Sequence, residues 1–200
     1  MWNSSARIEV NDGKDANIKD EFVTKGNVTE QGLIKFFMGT MGGKGCLDVR
    51  NNLKEENILT VISFTSSRKR ASIVVRNPEQ EGTSQEVRVY CKGAPDMLFD
   101  FTSEVITENG SIENLNSTTT IPNDLLNEGE AEGDTDTHRG LFERTVKKFA
   151  HRAYRTLLIT YKDMSMDEFQ ELKARHNNFE KEKDREVLEK DLVAVGIFGL

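Results

Sequence analysis

Phe64, Lys69, Lys92 and Arg155 each stand where a strand-like run ends or begins, and their types suit one kind of chemistry. An aromatic ring offers a face to a planar base, and cations held at strand ends meet the charge of a phosphate. The stretch Lys92-Gly93-Ala94-Pro95-Asp96 shows the placement most clearly. Val87, Val89 and Cys91 alternate with Arg88, Tyr90 and Lys92 as in a half-buried strand; Gly93 and Pro95 break it, and Pro95 suits the first turn of a helix. Phe64 closes another such run, just before the polar turn Thr65-Ser66-Ser67 and the basic triplet Arg68-Lys69-Arg70, so a ring and a cluster of cations fall side by side. Arg155 lies where a helical pattern over Leu141, Thr145, Phe149 and Ala153 gives way to the β-like run Thr156–Tyr161.

Each of these residues also has a plain structural reading: Phe64 as a core aromatic, Lys69 and Arg155 as solvated charges, Lys92 as the cap of an exposed strand edge. Spacing alone leaves both readings open; taken together, the set is compatible with a nucleotide pocket. Other chemistries find less support. His138, His151 and His176 show no paired ligand spacing, no serine sits in a nucleophile elbow, and Cys46 and Cys91 give neither a disulfide framework nor a zinc pattern, so no catalytic or metal-binding residue is assigned. Gly39-Thr-Met-Gly-Gly-Lys-Gly45 fails as a phosphate loop, because Met38 stands five before Gly43 and Gly45 replaces the hydroxyl residue after the lysine; it reads as a helix stop and loop.

The elements that must position these groups follow from patterning. Two hundred residues, 36% hydrophobic and 30% charged, suffice for one sizeable globular domain, and the formal charge of −7 argues against a nucleic-acid partner. No apolar run approaches the roughly 18 residues of a membrane span, and the first residues lack a signal-peptide apolar region, so the stretch reads as soluble; it is expected to be a monomer. A strand is expected over Arg7–Val10, followed by a polar turn at Asn11-Asp12-Gly13. Asn27 is placed to cap a helix, with Glu30 three residues on in the manner of a capping box, and glycines 39, 42 and 43 are expected to end it. Runs 58–65, 70–76 and 86–92 predict an antiparallel meander; Pro95 opens a short helix to about Phe101; Asn109-Gly110 marks a two-residue hairpin. Residues 116–140, rich in Thr, Asn, Glu, Gly and Asp, read as a solvated, mobile acidic loop. Ser165 with Glu168 makes a second capping box before a charged amphipathic segment, and 192–200 is strand-like and stops without a cap, as in a piece of a longer chain.

In this order, VTEQGL (28–33), FTSSRKRAS (64–72), KGAPD (92–96), AYRTLLITYKD (153–163) and DLVAVGIFGL (191–200) resemble motifs of the nucleotide-binding domain of P-type cation-transporting ATPases, and among these the plasma-membrane type of calcium pump. The resemblance implies an α+β fold, a single domain over 1–200 with a central antiparallel sheet of about six or seven strands flanked by helices, placed on the cytoplasmic side of a membrane pump. It further implies that Glu30 reaches the adenine amino group, Phe64 stacks on the ring and Lys92 lines the inner end of the pocket. Lys69 lies near the nucleotide, Gly93 and Ala94 approach it closely, and Arg155 is directed at the phosphates. Ala71 stands where the family commonly has a methionine against the base, which implies a thinner wall and weaker ATP affinity. Ser66 stands where the sarcoplasmic type has an arginine, and Asp96 replaces the commoner glutamate.

The phosphorylated aspartate of such pumps belongs to a neighbouring domain, and no Asp-Lys dipeptide occurs here. The implied role is therefore to bind ATP, with magnesium held mainly by the phosphorylation domain, and to present the γ-phosphate to that aspartate, the phosphorylation and actuator domains being partners. This chain is not expected to complete ATP hydrolysis alone. Two alternatives stay open: a protein-interaction module derived from the same fold without nucleotide binding, and the nucleotide domain of a P-type pump for another cation.

Overall fold

The computed structural model describes residues 3, 4, 6–11 and 22–200, which divide into two compact units, residues 1–58 with Leu200 and residues 59–199. The expected turn at Asp12-Gly13 lies outside the described residues. In the first unit β1 (Arg7–Val10) pairs antiparallel with β2 (Phe22–Lys25), and α1 (Val28–Asn51) follows. Asn27 caps α1 as expected, its side chain accepting from the amides of Thr29 and Glu30. The helix does not stop at the glycines: it continues to Asn51 and is broken only at Gly42, at φ +75°. The correction has a packing cause. Cys46, beyond the glycines, is buried with Ala6, Ile8 and Ile34, and this apolar contact outweighs the poor helix propensity of glycine. Gly43 is also where the Phe22 ring approaches the backbone, within 2.4 Å of where a Cβ would stand, so only glycine fits.

The second unit is built on a seven-stranded sheet flanked by helices. β3 (Ile58–Ile62), β4 (Arg70–Arg76) and β5 (Val87–Gly93) form the expected meander, after which α2 (Pro95–Leu98) opens at its proline. β6 (Thr102–Ile106) and β7 (Ile112–Asn114) make the hairpin marked by Asn109-Gly110. Its loop closes over three residues rather than two: the Thr107 amide donates to Ser111 O, the Gly110 amide to Thr107 O, and Gly110 takes φ +84°.

The rest of the chain is β8 (Thr118–Thr120), β9 (Thr135–Thr137), α3 (His138–His151), β10 (Thr156–Met164), α4 (Met166–Arg175), α5 (Glu182–Arg185) and β11 (Leu192–Gly199). The sheet order is β3-β4-β5-β10-β11-β6-β7, and β8 pairs separately with β9. β11 with β6 is a parallel pair, a long-range crossover that local patterning does not encode.

Register fixes two faces. Ser72, Val74, Val89, Cys91, Leu158 and Thr160 lie on one, fully or almost fully buried. Phe169, Phe179 and Leu188 cover it at Val74 and Val89, and Leu98 and Phe99 at Cys91 and Leu158, where Leu192 of β11 joins the same buried cluster. On the opposite face lie Ala71, Arg88, Tyr90, Lys92, Ile159, Tyr161 and Asp163. There Arg88 grips Asp163 with two hydrogen bonds, Nε to Oδ1 at 2.5 Å and Nη2 to Oδ2 at 2.6 Å, clamping β5 to β10.

Candidate functional site

The chain between β3 and β4 makes a tight turn whose hydrogen bonds explain its shape. The Arg68 amide donates to Thr65 Oγ1 at 3.2 Å, the Lys69 amide donates to Thr65 O at 2.8 Å, and Lys69 O accepts from the Ala94 amide at 3.0 Å. Ser66 is the exposed second residue of the turn. Lys69 sits at φ +49°, in the left-handed region that costs a non-glycine residue roughly 1–2 kcal/mol, so surrounding bonds must hold it there. Its ammonium lies 3.5 Å from Asp96 Oδ2 on the first turn of α2, with both side chains at least half exposed.

Gly93 is what allows this closure. A Cβ there would stand 2.6 Å from Arg70 Cβ and 2.8 Å from Lys69 O, so a side chain would force the turn away from the strand. The backbone of the Gly93-Ala94 pair is pressed against the turn, a contact within the protein that is distinct from the approach to a nucleotide implied by the resemblance.

Ala71 is paired directly with Lys92, and Lys92 with Ile159, so the three side chains stand abreast on the open face, within the usual cross-strand contact range of about 5 Å. Phe64, just ahead of the turn, leaves 62% of its surface exposed, so it is not a core aromatic. Arg155 is exposed immediately before β10, three residues from Leu158, which is the partner of Gly93; it therefore lies at the same end of the sheet as the turn, about 10 Å along the strand. The structure thus brings Phe64, Ser66, Lys69, Ala71, Lys92, Gly93, Ala94 and Arg155 to one end of the central strands. Glu30 belongs to the first unit, where Oε2 accepts from the Ala6 amide at 3.1 Å.

The basic triplet divides. Lys69 faces outward, but Arg68 and Arg70 do not offer their charges to a phosphate. Both turn to Glu189, a carboxylate with no solvent exposure at all, and Arg70 also lies 4.1 Å from the Phe101 ring centroid. Glu189 is the residue that sequence reasoning missed: it lies 119 positions from Arg70, and no local pattern links the two.

Away from this end, a cavity of about 620 Å³ lies between α3 and the 124–137 segment and shares no lining residue with the turn. The acidic segment carries the β8–β9 ribbon and is tied to α3 by Arg144, which donates to both carboxylate oxygens of Glu130 and to Asp136, and by Lys148, which donates to Asp124. The Arg144 hydrogen bond, then that from the Asn127 amide, pulls the Glu130 carboxyl down to about 2. Glu130, Asp136 and Asp124 are thus each paired with a cation of α3.

Comparison with known proteins bears on the family of the chain. The family model for the P-type ATPase cytoplasmic domain N matches residues 1–128. A calcium-transporting ATPase of Plasmodium falciparum (isolate K1 / Thailand) is 28% identical over 151 residues, covering 76% of this chain and 9% of the relative. The phospholipid-transporting ATPase ID of Homo sapiens is 32% identical over 114 residues, 57% of this chain and 7% of the relative. A putative calcium-transporting ATPase 11, plasma membrane-type, of Arabidopsis thaliana is 27% identical over 139 residues, 70% of this chain and 11% of the relative. The chain spans 7% to 11% of the length of these three proteins. No helix among the described residues is long and apolar enough to cross a membrane. With its α+β sheet architecture and a family match over most of its length, the chain belongs to the P-type ATPase cytoplasmic N domains.

Proposed function

We propose that this domain binds ATP at the turn end of its sheet, for a P-type pump whose cargo is a cation, with calcium the first candidate. The observation that carries the reading is Phe64: a large ring left mostly in solvent beside a turn that is hydrogen-bonded on both sides and held in a costly backbone conformation. Packing gives no reason for that ring to be there, whereas a base stacked on it gains about 1–3 kcal/mol. Lys69 and Arg155 supply exposed positive charge within reach of a phosphate chain, and Ala71 and Lys92 form an adjacent floor on the open face.

On this reading ATP is held by its base while its γ-phosphate is carried to an aspartate of a neighbouring domain. Transfer forms a bond from that carboxylate oxygen to phosphorus and breaks the bond to ADP, with magnesium held mainly by that other domain. The relatives include proteins named for calcium and for phospholipid transport, so a phospholipid cargo is the second reading. Uptake of calcium, or flipping of a labelled lipid, by vesicles carrying the full-length pump separates the two. ATP binding is tested by amide-shift titration of the 200-residue chain: shifts are expected at Phe64, Lys69 and Gly93 and are lost in Phe64→Ala. A flat titration of the unmodified chain refutes the proposal.

A further inference from the structure

We infer that Glu189 is a positioning residue of the nucleotide site, setting the placement of Phe64 and Lys69 from beneath the sheet; this rests on the reading of the turn as an ATP site. Glu189 is completely buried, and its carboxylate is saturated from one stretch of chain. Oε2 accepts from Arg68 Nη2 at 2.5 Å and Arg70 Nε at 2.8 Å, and Oε1 accepts from Ser72 Oγ at 2.5 Å. A buried carboxylate in a sheet protein needs such partners, but an apolar residue there would have needed none. What distinguishes this one is where its partners lead.

Arg68 carries the connection outward. Its Nη1 donates to Ser63 O at 2.8 Å, so the residue before Phe64 is fixed by the same guanidinium that Glu189 fixes. Its amide bonds the Thr65 hydroxyl, so the residue after Phe64 is fixed as well. Arg70 flanks Lys69 on the other side and is pinned between Glu189 and the Phe101 ring, with the bare Cα of Gly93 against its Cβ. The exposed pair Phe64 and Lys69 is therefore bracketed on each side by a group whose position is set by one buried charge. Glu182 and Glu186, 3.7 and 3.3 Å from Arg68, add attraction at the rim but are themselves partly in solvent.

The test uses the 200-residue chain, with Glu189→Gln, which keeps the volume and one acceptor but removes the charge, and Arg68→Met, which cuts the link to Ser63 while leaving Arg70 and Ser72 on the carboxylate. Phe169→Leu, in the buried cluster under Val74 and Val89, is the control for lost stability. Two quantities are read: the ATP Kd, and hydrogen exchange at the Lys69 and Ala94 amides without nucleotide. Both variants are expected to raise the Kd by about tenfold and to speed exchange at those two amides, while the control leaves both unchanged at an equal loss of Tm. Unchanged Kd and unchanged exchange in the variants overturn the inference, as does an equal effect in the control. If the unmodified chain does not bind ATP, the nucleotide reading fails and amide exchange alone decides whether Glu189 orders the turn. If Glu189→Gln does not fold, Arg68→Met decides by the same readings.

Discussion

Replacing Gly93 by alanine adds one methyl group at the point where β5 meets the Lys69 turn. Carbon atoms sit comfortably at about 3.5 Å or more, and the new Cβ would lie 2.6 Å from Arg70 Cβ and 2.8 Å from Lys69 O. Neither neighbour is the loose end of a flexible chain: one is a backbone carbonyl, and the other belongs to a residue pinned through Glu189. The turn must therefore retreat by about 0.7–0.9 Å. That lengthens the 3.0 Å bond from the Ala94 amide to Lys69 O beyond a useful range. Overpacking of this kind costs about 1–3 kcal/mol and the lost hydrogen bond about 1 kcal/mol, so a stability loss of about 2–4 kcal/mol is expected.

With a urea dependence near 2 kcal/mol/M, the unfolding midpoint should fall by about 1–2 M. Gly196→Ala is the control, because nothing lies within 4 Å of a Cβ at that strand position and alanine there should be neutral or stabilising by up to about 1 kcal/mol. Hydrogen exchange gives the local reading: the Ala94 amide should lose protection in Gly93→Ala and keep it in Gly196→Ala. If Gly93→Ala unfolds at the unmodified midpoint with Ala94 still protected, the turn is looser than its bonds imply, and its role as a fixed platform fails with it.

Ala71→Met should tighten ATP binding: it restores apolar bulk beside Lys92 on the open face, and an added contact of that size is worth about 1 kcal/mol, or about fivefold in Kd; an unchanged Kd in calorimetry would place the base elsewhere. The Cys91 thiol should resist alkylation at pH 8.5 in the folded chain, because burial, and then the Glu189 charge, push it up to about 12 from 9.0. Since the folded value is the higher one, the stabilisation is complete below pH 9 and is lost as the pH rises through 12; a urea midpoint that falls over that range no more steeply than that of a Cys91→Ala control, which lacks the thiol, counts against it. Glu130 should titrate at about 2, well under its ordinary 4.5, with the Arg144 hydrogen bond as the main cause. Here the folded value is the lower one, so the tie of the acidic segment to α3 is present above pH 4.5 and weakens as the pH falls through 2. Carboxyl-carbon titration checks this, and in Arg144→Gln the Glu130 value should rise.

The local parts of the fold were legible because they are encoded by neighbours in sequence. The strand alternation from Val87 to Cys91, the proline that opens α2, the Ser165 cap of α4 and the Asn109-Gly110 turn each depend on residues within a few positions of one another. The end of α1 was misread for the complementary reason: glycine propensity is local, and the packing of Cys46 against Ala6 and Ile34, which overrules it, is not. The parallel pairing of β11 with β6 and the joining of β10 to β5 are likewise long-range facts.

The candidate site divides along the same line. Phe64, Lys69 and Lys92 could be selected as residues at strand ends, because type and position relative to a turn are visible in one stretch of chain. Their surroundings could not. Arg68, Lys69 and Arg70 look alike in sequence, yet Lys69 is half exposed while Arg68 and Arg70 are largely buried, because a glutamate more than a hundred residues away takes those two. Charge count therefore overstates the positive charge this end of the sheet exposes: of three adjacent cations, one stands half in solvent and two are bound to a buried carboxylate. An exposed ring and an exposed ammonium have little packing of their own to fix them, so their precision has to be borrowed from buried neighbours, and the cost of burying a charge with three donors is the physical mark of that loan.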